Sequence, residues 1–345
     1  MTIRVERLRS DEQECWDQFV DKYSKATIYH TNWWHQIIIS CFRHKFYSLV
    51  ARTFDGHICG ILPLFYIRGL LRSSLVSSPL RDRGGVLGNA EARRALAGAA
   101  IKLAKDLNCS YLLLKQGEKF PELDAEQYER LDYWVTMVID LPLEWNNLNS
   151  KVRWSVRKAE RSGLSFEIIN NNPSVGDRFF HLFKETRRRL GVPTYTRQFF
   201  HFLANQSTNV CFCFASQNGK DLAGIILLHY GNKVLSGYAA NSKLGRAFRA
   251  SDFAFWHAIH WASKNGYSKF DFGADSPNQT SLREFKKKWG GIEETISHYY
   301  YLNRINTIPV VDSSKGFLRL ARKLWSCIPD PLFEMFSRWA MRFTD

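Results

Sequence analysis

The chain has 345 residues, 45% of them apolar, and a formal net charge of +15, so it is long enough for two cores and too apolar for a disordered polyelectrolyte. The positive balance favours polyanionic partners (nucleic acid, an anionic membrane surface or phosphorylated substrates) and does not by itself choose among them. Seven cysteines without a CxxC pair or metal-ligand spacing argue against a disulfide framework and fit a reducing compartment.

The amino-terminal MTIRVERLRSDEQE lacks the apolar stretch of a signal peptide. No run approaches the ~20 apolar residues that span a bilayer. The expectation is a cytoplasmic protein, at most peripheral on the inner face of the cytoplasmic membrane. FYSLVARTFDGHICGILPLFYI reads as two strands joined at Asp55-Gly56, followed by the strand-like LRSSLVSS, a loop, the helical EARRALAGAAIKLAKDLN and the strand SYLLLK. Near LPLEWNNLNSKVRWS, Asn149 or Ser150 caps a helix that Gly163 ends. Val152, Val156 and Ala159 form its apolar seam, and Arg153, Arg157 and Arg161 recur on another face.

The second half repeats this order. VCFCFASQNGKDLAGIILLHY is a hairpin turned at Asn218-Gly219, followed by the strand VLSGYAA, a loop, the helix SDFAFWHAIHWASKNG and the strand YSKFDFG. The equivalent placement of the two hairpins points to an internal duplication. The fold class is α/β (α+β): two units, each a mixed, mostly antiparallel sheet covered by helices. The expected domains are 1–147, 148–303 and a basic amphipathic helical tail, 304–345. Pro329-Asp330-Pro331 splits the tail into two short helices. Phe317, Leu320, Ala321 and Leu324 share one face, and Leu332, Phe336, Trp339 and Phe343 repeat the pattern. Such a tail suits an anionic membrane surface and suits docking on the protein's own core equally well.

No GxSxG elbow, Walker loop, GxGxxG fingerprint or HExxH helix occurs. His257 and His260 lie among Phe253, Phe255, Trp256 and Trp261, where packing or hydrogen bonding is the expected role rather than metal ligation. With neither a covalent nor a metal mechanism indicated, positioning and electrostatic stabilisation remain. Three basic clusters supply them: Lys151, Arg153, Arg157, Lys158 and Arg161; Arg246 with Arg249, before the helix opening at Ser251-Asp252; and Arg283 with Lys286, Lys287 and Lys288, before Trp289-Gly290-Gly291. A helix N-terminus flanked by arginines is suited to phosphate.

Several segments, in order from about Tyr29 to Asn303, resemble the FemAB-like family. They are YHTNWWHQII, LVSSPLRDRGGVLGN, KVRWSVRKAERSGLSFEI, ETRRRLGVPTYTRQFF, GYAANSKLGRAFRASDFAFWHAIHWASKNGYSKFDFGADS and FKKKWGG. The resemblance implies two tandem GNAT-type acyltransferase folds and transfer of an acyl group, often from charged tRNA, to the amine of a lipid- or nucleotide-linked envelope precursor. It implies that Lys286 lies near the reacting carbonyl or a donor phosphate; in the mechanism expected from this, the amine proton is lost to water, to substrate or to a nearby carboxylate such as Asp271 or Asp275. It places Lys151, Arg153 and Arg157 on substrate phosphates. Tyr29, His30, Trp33 and Trp34, with Arg81, Asp82, Gly84 and Gly85, would line the acceptor groove. Tyr238, Arg246, Arg249, Ser251, Asp252, Lys287 and Trp289 would contact substrate on the second unit.

Two departures stand out. Where acetyl-CoA-dependent GNAT domains carry glycines before the phosphate-binding helix, this chain has Arg246-Ala247-Phe248-Arg249-Ala250-Ser251, so Cβ atoms crowd the loop. That counts against CoA and favours charged tRNA, a long polyanion. DFGADS also lacks the arginine that relatives often place after DFG. The leading expectation is an acyl or aminoacyl transferase on a peptidoglycan or exopolysaccharide precursor, with no resident cofactor or metal. The alternatives are an acyl-CoA-dependent N-acyltransferase and a non-catalytic membrane-surface scaffold.

Overall fold

In the computed structural model the described residues are 3–70, 72–124, 126–205, 208–309 and 316–344, without the side chains of 316–320. The first half runs β1 Arg4–Arg7, α1 Gln13–Lys22, α2 Asn32–Phe42, β2 Lys45–Arg52, β3 Ile58–Arg68, β4 Ser73–Val76, β5 Leu87–Gly88, α3 Ala90–Asp106, β6 Tyr111–Lys115, α4 Pro121–Asp124 and β7 Glu129–Asp140. The second half begins with α5 Ser150–Arg161, β8 Ser165–Ile169, α6 Val175–Leu190, α7 Arg197–Ala204, β9 Val210–Gln217, β10 Lys220–Tyr230 and β11 Lys233–Asn241. It continues through α8 Lys243–Ala247, α9 Ala250–Lys264, β12 Lys269–Asp271, α10 Thr280–Lys287 and β13 Ile292–Leu302, and ends in α11 Gly316–Cys327 and α12 Asp330–Ala340.

The chain divides into two compact units: Met1–Trp134 with Thr295–Val311 and Arg342–Asp345, and Val135–Glu294 with Asp312–Met341. In the first, β1, β2, β3 and β4 pair antiparallel in order, β4 pairs β6 in parallel, and β6 pairs β13 antiparallel. In the second, β8, β9, β10 and β11 pair antiparallel in order, β11 pairs β12 in parallel, and β12 pairs β7 antiparallel. The two sheets therefore have the same order and sense, as the repeated pattern predicts. The strand that closes each sheet comes from the opposite half of the sequence, so both units are discontinuous along the chain.

Local signals place the elements. Asn218 and Gly219 both take positive φ, 49° and 72°, which gives the two-residue turn whose twist matches the flanking strands β9 and β10. Asn89 and Asn149 accept the first free amides of α3 and α5, from Ala92 at 2.8 Å and Lys151 at 2.9 Å. Val152, Val156 and Ala159 of α5 join the second core with β9, β10 and α9, while α3 packs Ala92, Leu96, Ala97 and Ala100 on the first sheet. The tail forms two helices as expected, but the break is Ile328–Pro329, because Asp330 and Pro331 of the expected Pro329-Asp330-Pro331 break already open α12. Of its expected faces, Phe317 and Leu320 lie outside the described side chains.

Candidate active site

In the second unit the parallel pair β11–β12 is short. The strands pair over Lys233–Leu235 and Lys269–Asp271 only, whereas β11 continues to Asn241. Ile226 faces Tyr238 and Leu227 faces Ser236, so Gly237 is the extra residue of a bulge on β11 at the point where the strands part. A Cβ at Gly237 would meet Leu228 Cδ1 at 2.7 Å, so a larger residue there would have to shift the Leu228 side chain.

Beyond β12 the chain turns through Gly273 (φ +78°) to Asp275, whose backbone makes an isolated bridge with Val135 at N···O distances of 2.8 and 3.1 Å. Lys286, on the last turn of α10, reaches into this turn. Its Nζ donates to Gly273 O and to Asp275 Oδ1, both at 2.7 Å. Both side chains are buried, Lys286 at 6% exposure and Asp275 at 2%. Burial raises the Asp275 carboxyl above the ordinary aspartate range, against the opposing pull of Lys286. Asp271 Oδ1 accepts from Thr136 Oγ1 and from Gly273 N at 2.8 Å. The three residues expected to carry the chemistry, Lys286, Asp271 and Asp275, thus converge on one turn. Gly273 and Thr136, which the sequence reading did not single out, complete it. The DFG segment was the signal for the first, whereas Thr136 enters only through strand β7.

Other expected contacts of this unit are spread more widely. Trp289 is buried against Phe255, Phe272 and Phe285, and Tyr238 against Phe183, Tyr195, Phe199 and Phe200, so both rings pack the core. Asp252 is buried and ion-paired to Lys288. Ser251 Oγ accepts from Asn241 Nδ2 at 3.0 Å. Arg246, Arg249, Lys151, Arg157 and Lys287 are exposed, and Arg153 is half-buried with Nη1 on Asn146 O at 2.8 Å. Arg249 (φ +59°) precedes α9, and its guanidinium lies over Trp154, which also faces Lys158. Arg157 lies over Trp145 instead. Arg246 stands close enough to Arg189 to push its guanidinium pKa down, after burial as the larger cause. The exposed cations of this set therefore lie on α5, just before α9 and at the end of α10, whereas Lys286 is buried.

In the first unit, the early aromatics and the Arg81–Gly85 loop do come together. Thr27 N donates to His30 Nδ1 at 3.0 Å, so Nε2 carries the proton it gives to Gly85 O at 3.2 Å. Burial lowers the His30 pKa to about 4 and keeps the ring neutral. Arg81 places its guanidinium 5.9 Å from the Tyr29 ring centre and 5.6 Å from that of Trp34. Trp33 is half-buried beside Trp34. Gln116 clamps the loop by accepting from Val86 N at 3.0 Å and donating to Val86 O at 2.9 Å. His298 Nε2 donates to Asp82 O at 3.0 Å. A Cβ on Gly85 would fall 2.3 Å from Gln116 Oε1, and one on Gly84 (φ +122°) 2.7 Å from Ser78 Cβ, which accounts for both glycines. Gln116 and His298 had no local signal, because they reach the loop from β6 and β13.

Residues 146–287 match the family model described as an acetyltransferase (GNAT) domain. No curated protein sequence matches the chain. Among solved structures, FemX aligns with a TM-score of 0.68 and 16% identity, over 87% of this chain and 98% of that one. The C-terminal domain of a putative lysylphosphatidylglycerol synthetase from Agrobacterium fabrum aligns at 0.57 and 13%, over 85% and 92%. A tandem GNAT protein from the clavulanic acid biosynthesis pathway aligns at 0.56 and 12%, over 87% and 98%. The fold is the tandem GNAT-like fold that the FemAB-like resemblance implies, and residues 146–287 form an acyltransferase-type domain.

Proposed function

We propose that this chain joins an acyl or aminoacyl donor to the amine of a cell-envelope precursor, with the Lys286–Asp275 turn as the chemical centre. The observation that carries this reading is a buried, hydrogen-bonded ion pair in the turn that follows the short strand β12 of a GNAT domain. A preorganised buried charge pair is the kind of group that stabilises charge developing in acyl transfer.

The acceptor nitrogen attacks the donor carbonyl, a C–N bond forms, and the ester C–O bond breaks as the donor hydroxyl leaves. The Lys286 ammonium favours the negative charge that grows on the carbonyl oxygen. Asp275, whose raised pKa makes its carboxylate a stronger base, accepts the proton that the amine sheds, and the leaving oxygen takes up a proton. Asp271, held by Thr136 and Gly273, fixes the turn from below. In the first unit the half-buried Arg81 lies over the buried rings of Tyr29 and Trp34 beside a clamped loop, and a guanidinium so placed suits an anionic group.

Charged tRNA is the donor of this reading. Exposed Arg246 and Arg249 precede α9 on a chain of net charge +15, and no glycine of Arg246–Ser251 opens that loop to a pyrophosphate. The names of two structures sharing the fold, FemX and a putative lysylphosphatidylglycerol synthetase, support an envelope acceptor. The acetyltransferase description of the matched family favours a second reading, with acyl-CoA as donor. The test is mass spectrometry of envelope precursors from a deletion strain complemented with wild type or Lys286→Ala. A fixed mass increment restored by wild type alone supports the reading, and its size identifies the transferred group. Unchanged precursor masses in the deletion strain overturn it.

A further inference from the structure

Helix α12 is amphipathic twice over. One side is docked: Phe333 and Ser337 are fully buried, and Ser337 Oγ accepts from Thr194 N at 3.1 Å. On the same side Glu334 Oε1 takes Lys184 Nζ at 2.9 Å, and Asp330 Oδ1 takes Arg188 Nη1 at 2.6 Å. Leu332, Met335, Phe336 and Trp339 fall on the other side, at i, i+3, i+4 and i+7, and are 41–54% exposed. Leu324 of α11 is exposed at 63%. A helix that packs on its own domain needs one apolar stripe, and the core has already taken that of α12. The second stripe is apolar surface held toward solvent by a helix anchored from behind.

Charge selects what covers it. The carboxylates of α11 and α12 are Asp330 and Glu334, and both are engaged by Lys184 and Arg188 of α6. Of the cations of these two helices, Arg322, Lys323 and Arg338 are exposed. Large apolar side chains with a tryptophan, on helices whose exposed cations outnumber their two ion-paired acids, match a surface that is anionic outside and apolar just beneath. None of the described helices is long and apolar enough to cross a bilayer, so the contact is one of lying in the interface.

We propose that the outward face of α12, with the cations of α11, seats the protein on an anionic phospholipid bilayer. The inference does not depend on which acyl donor is used. It is tested by co-sedimentation of the purified full-length chain with vesicles of phosphatidylcholine alone or of equal parts phosphatidylcholine and phosphatidylglycerol. The expected result is binding to the anionic vesicles only. Affinity should fall roughly tenfold or more in Phe336→Ser/Trp339→Ser and, separately, in Lys323→Glu/Arg338→Glu. Circular dichroism and melting curves like those of wild type exclude unfolding as the cause. Three results overturn the proposal: no binding by wild type, full binding by the Phe336→Ser/Trp339→Ser variant, or concentration-dependent dimerisation in sedimentation velocity that the same substitutions abolish. The last would assign the face to a second copy of the chain.

Discussion

Lys286 Nζ and Asp275 Oδ1 sit 2.7 Å apart where neither residue is more than 6% exposed, so each buried charge is compensated by the other. Removing one partner leaves the other buried without compensation. Lys286→Ala is expected to lower turnover by roughly tenfold to a thousandfold. It should also destabilise the fold by about 3–5 kcal/mol. Lys286→Ala/Asp275→Asn should recover part of the stability and none of the turnover, read by urea denaturation and a single-turnover assay. Full turnover in Lys286→Ala would remove the pair from the chemistry.

The clamped loop of the first unit is expected to tolerate no side chain at Gly85. Gly85→Ala drives a Cβ toward Gln116, which already holds both backbone groups of Val86. A stability loss of about 1–3 kcal/mol is expected, with weaker acceptor binding, measured as a lower denaturation midpoint and a higher KM for the acceptor. Gln116→Ala should not rescue it, because Val86 N and O then lose their partner.

Acid should loosen the first unit through its buried histidines. Burial holds His30 and His44 at about 4 and His35 at about 3. Between pH ~6.5 and those values the unfolded chain binds protons that the folded rings refuse. Stability present above pH ~6.5 is therefore lost as the pH falls toward 4, by up to about 3 kcal/mol for His30 alone. Urea midpoints measured from neutral pH downward should fall, and His30→Gln should flatten the slope. A pH-independent midpoint would mean that these rings titrate normally in the folded chain.

The donor is open to a salt test. If Arg246 and Arg249 meet phosphates of charged tRNA, Arg246→Ala/Arg249→Ala should weaken binding at all sequences alike. It should also reduce the slope of log affinity against log salt by about two. Acetyl-CoA should give no heat with wild type in a calorimetric titration. Micromolar acetyl-CoA binding, with tRNA affinity unchanged by the substitutions, would favour the acyl-CoA reading instead.

Much of the layout was legible in the residues, because its causes are local. Asp55-Gly56 and Asn218-Gly219 turn hairpins by their own backbone preferences, Asn149 caps α5 from one residue away, and Pro329 separates α11 from α12. The grouping of Lys286 with Asp271 and Asp275 was suggested by a family resemblance. That Lys286 also holds Gly273 O was not, since backbone acceptors carry no residue type to read. Tyr238 and Trp289 look alike in sequence whether they line a groove or fill a core, and here they fill it.

By itself the sequence determined the repeated strand–helix–strand order, the helix caps and turns, and the cationic character of the second half. Only the tertiary structure decided that β7 closes the second sheet and β13 the first, and that Thr136 therefore lies under Asp271 while His298 meets the Arg81–Gly85 loop. The physical reason is range. A turn or cap is settled among neighbours in the chain, whereas strand partners more than a hundred residues apart are chosen by which pairing buries both sheets, and no short stretch of sequence carries that information.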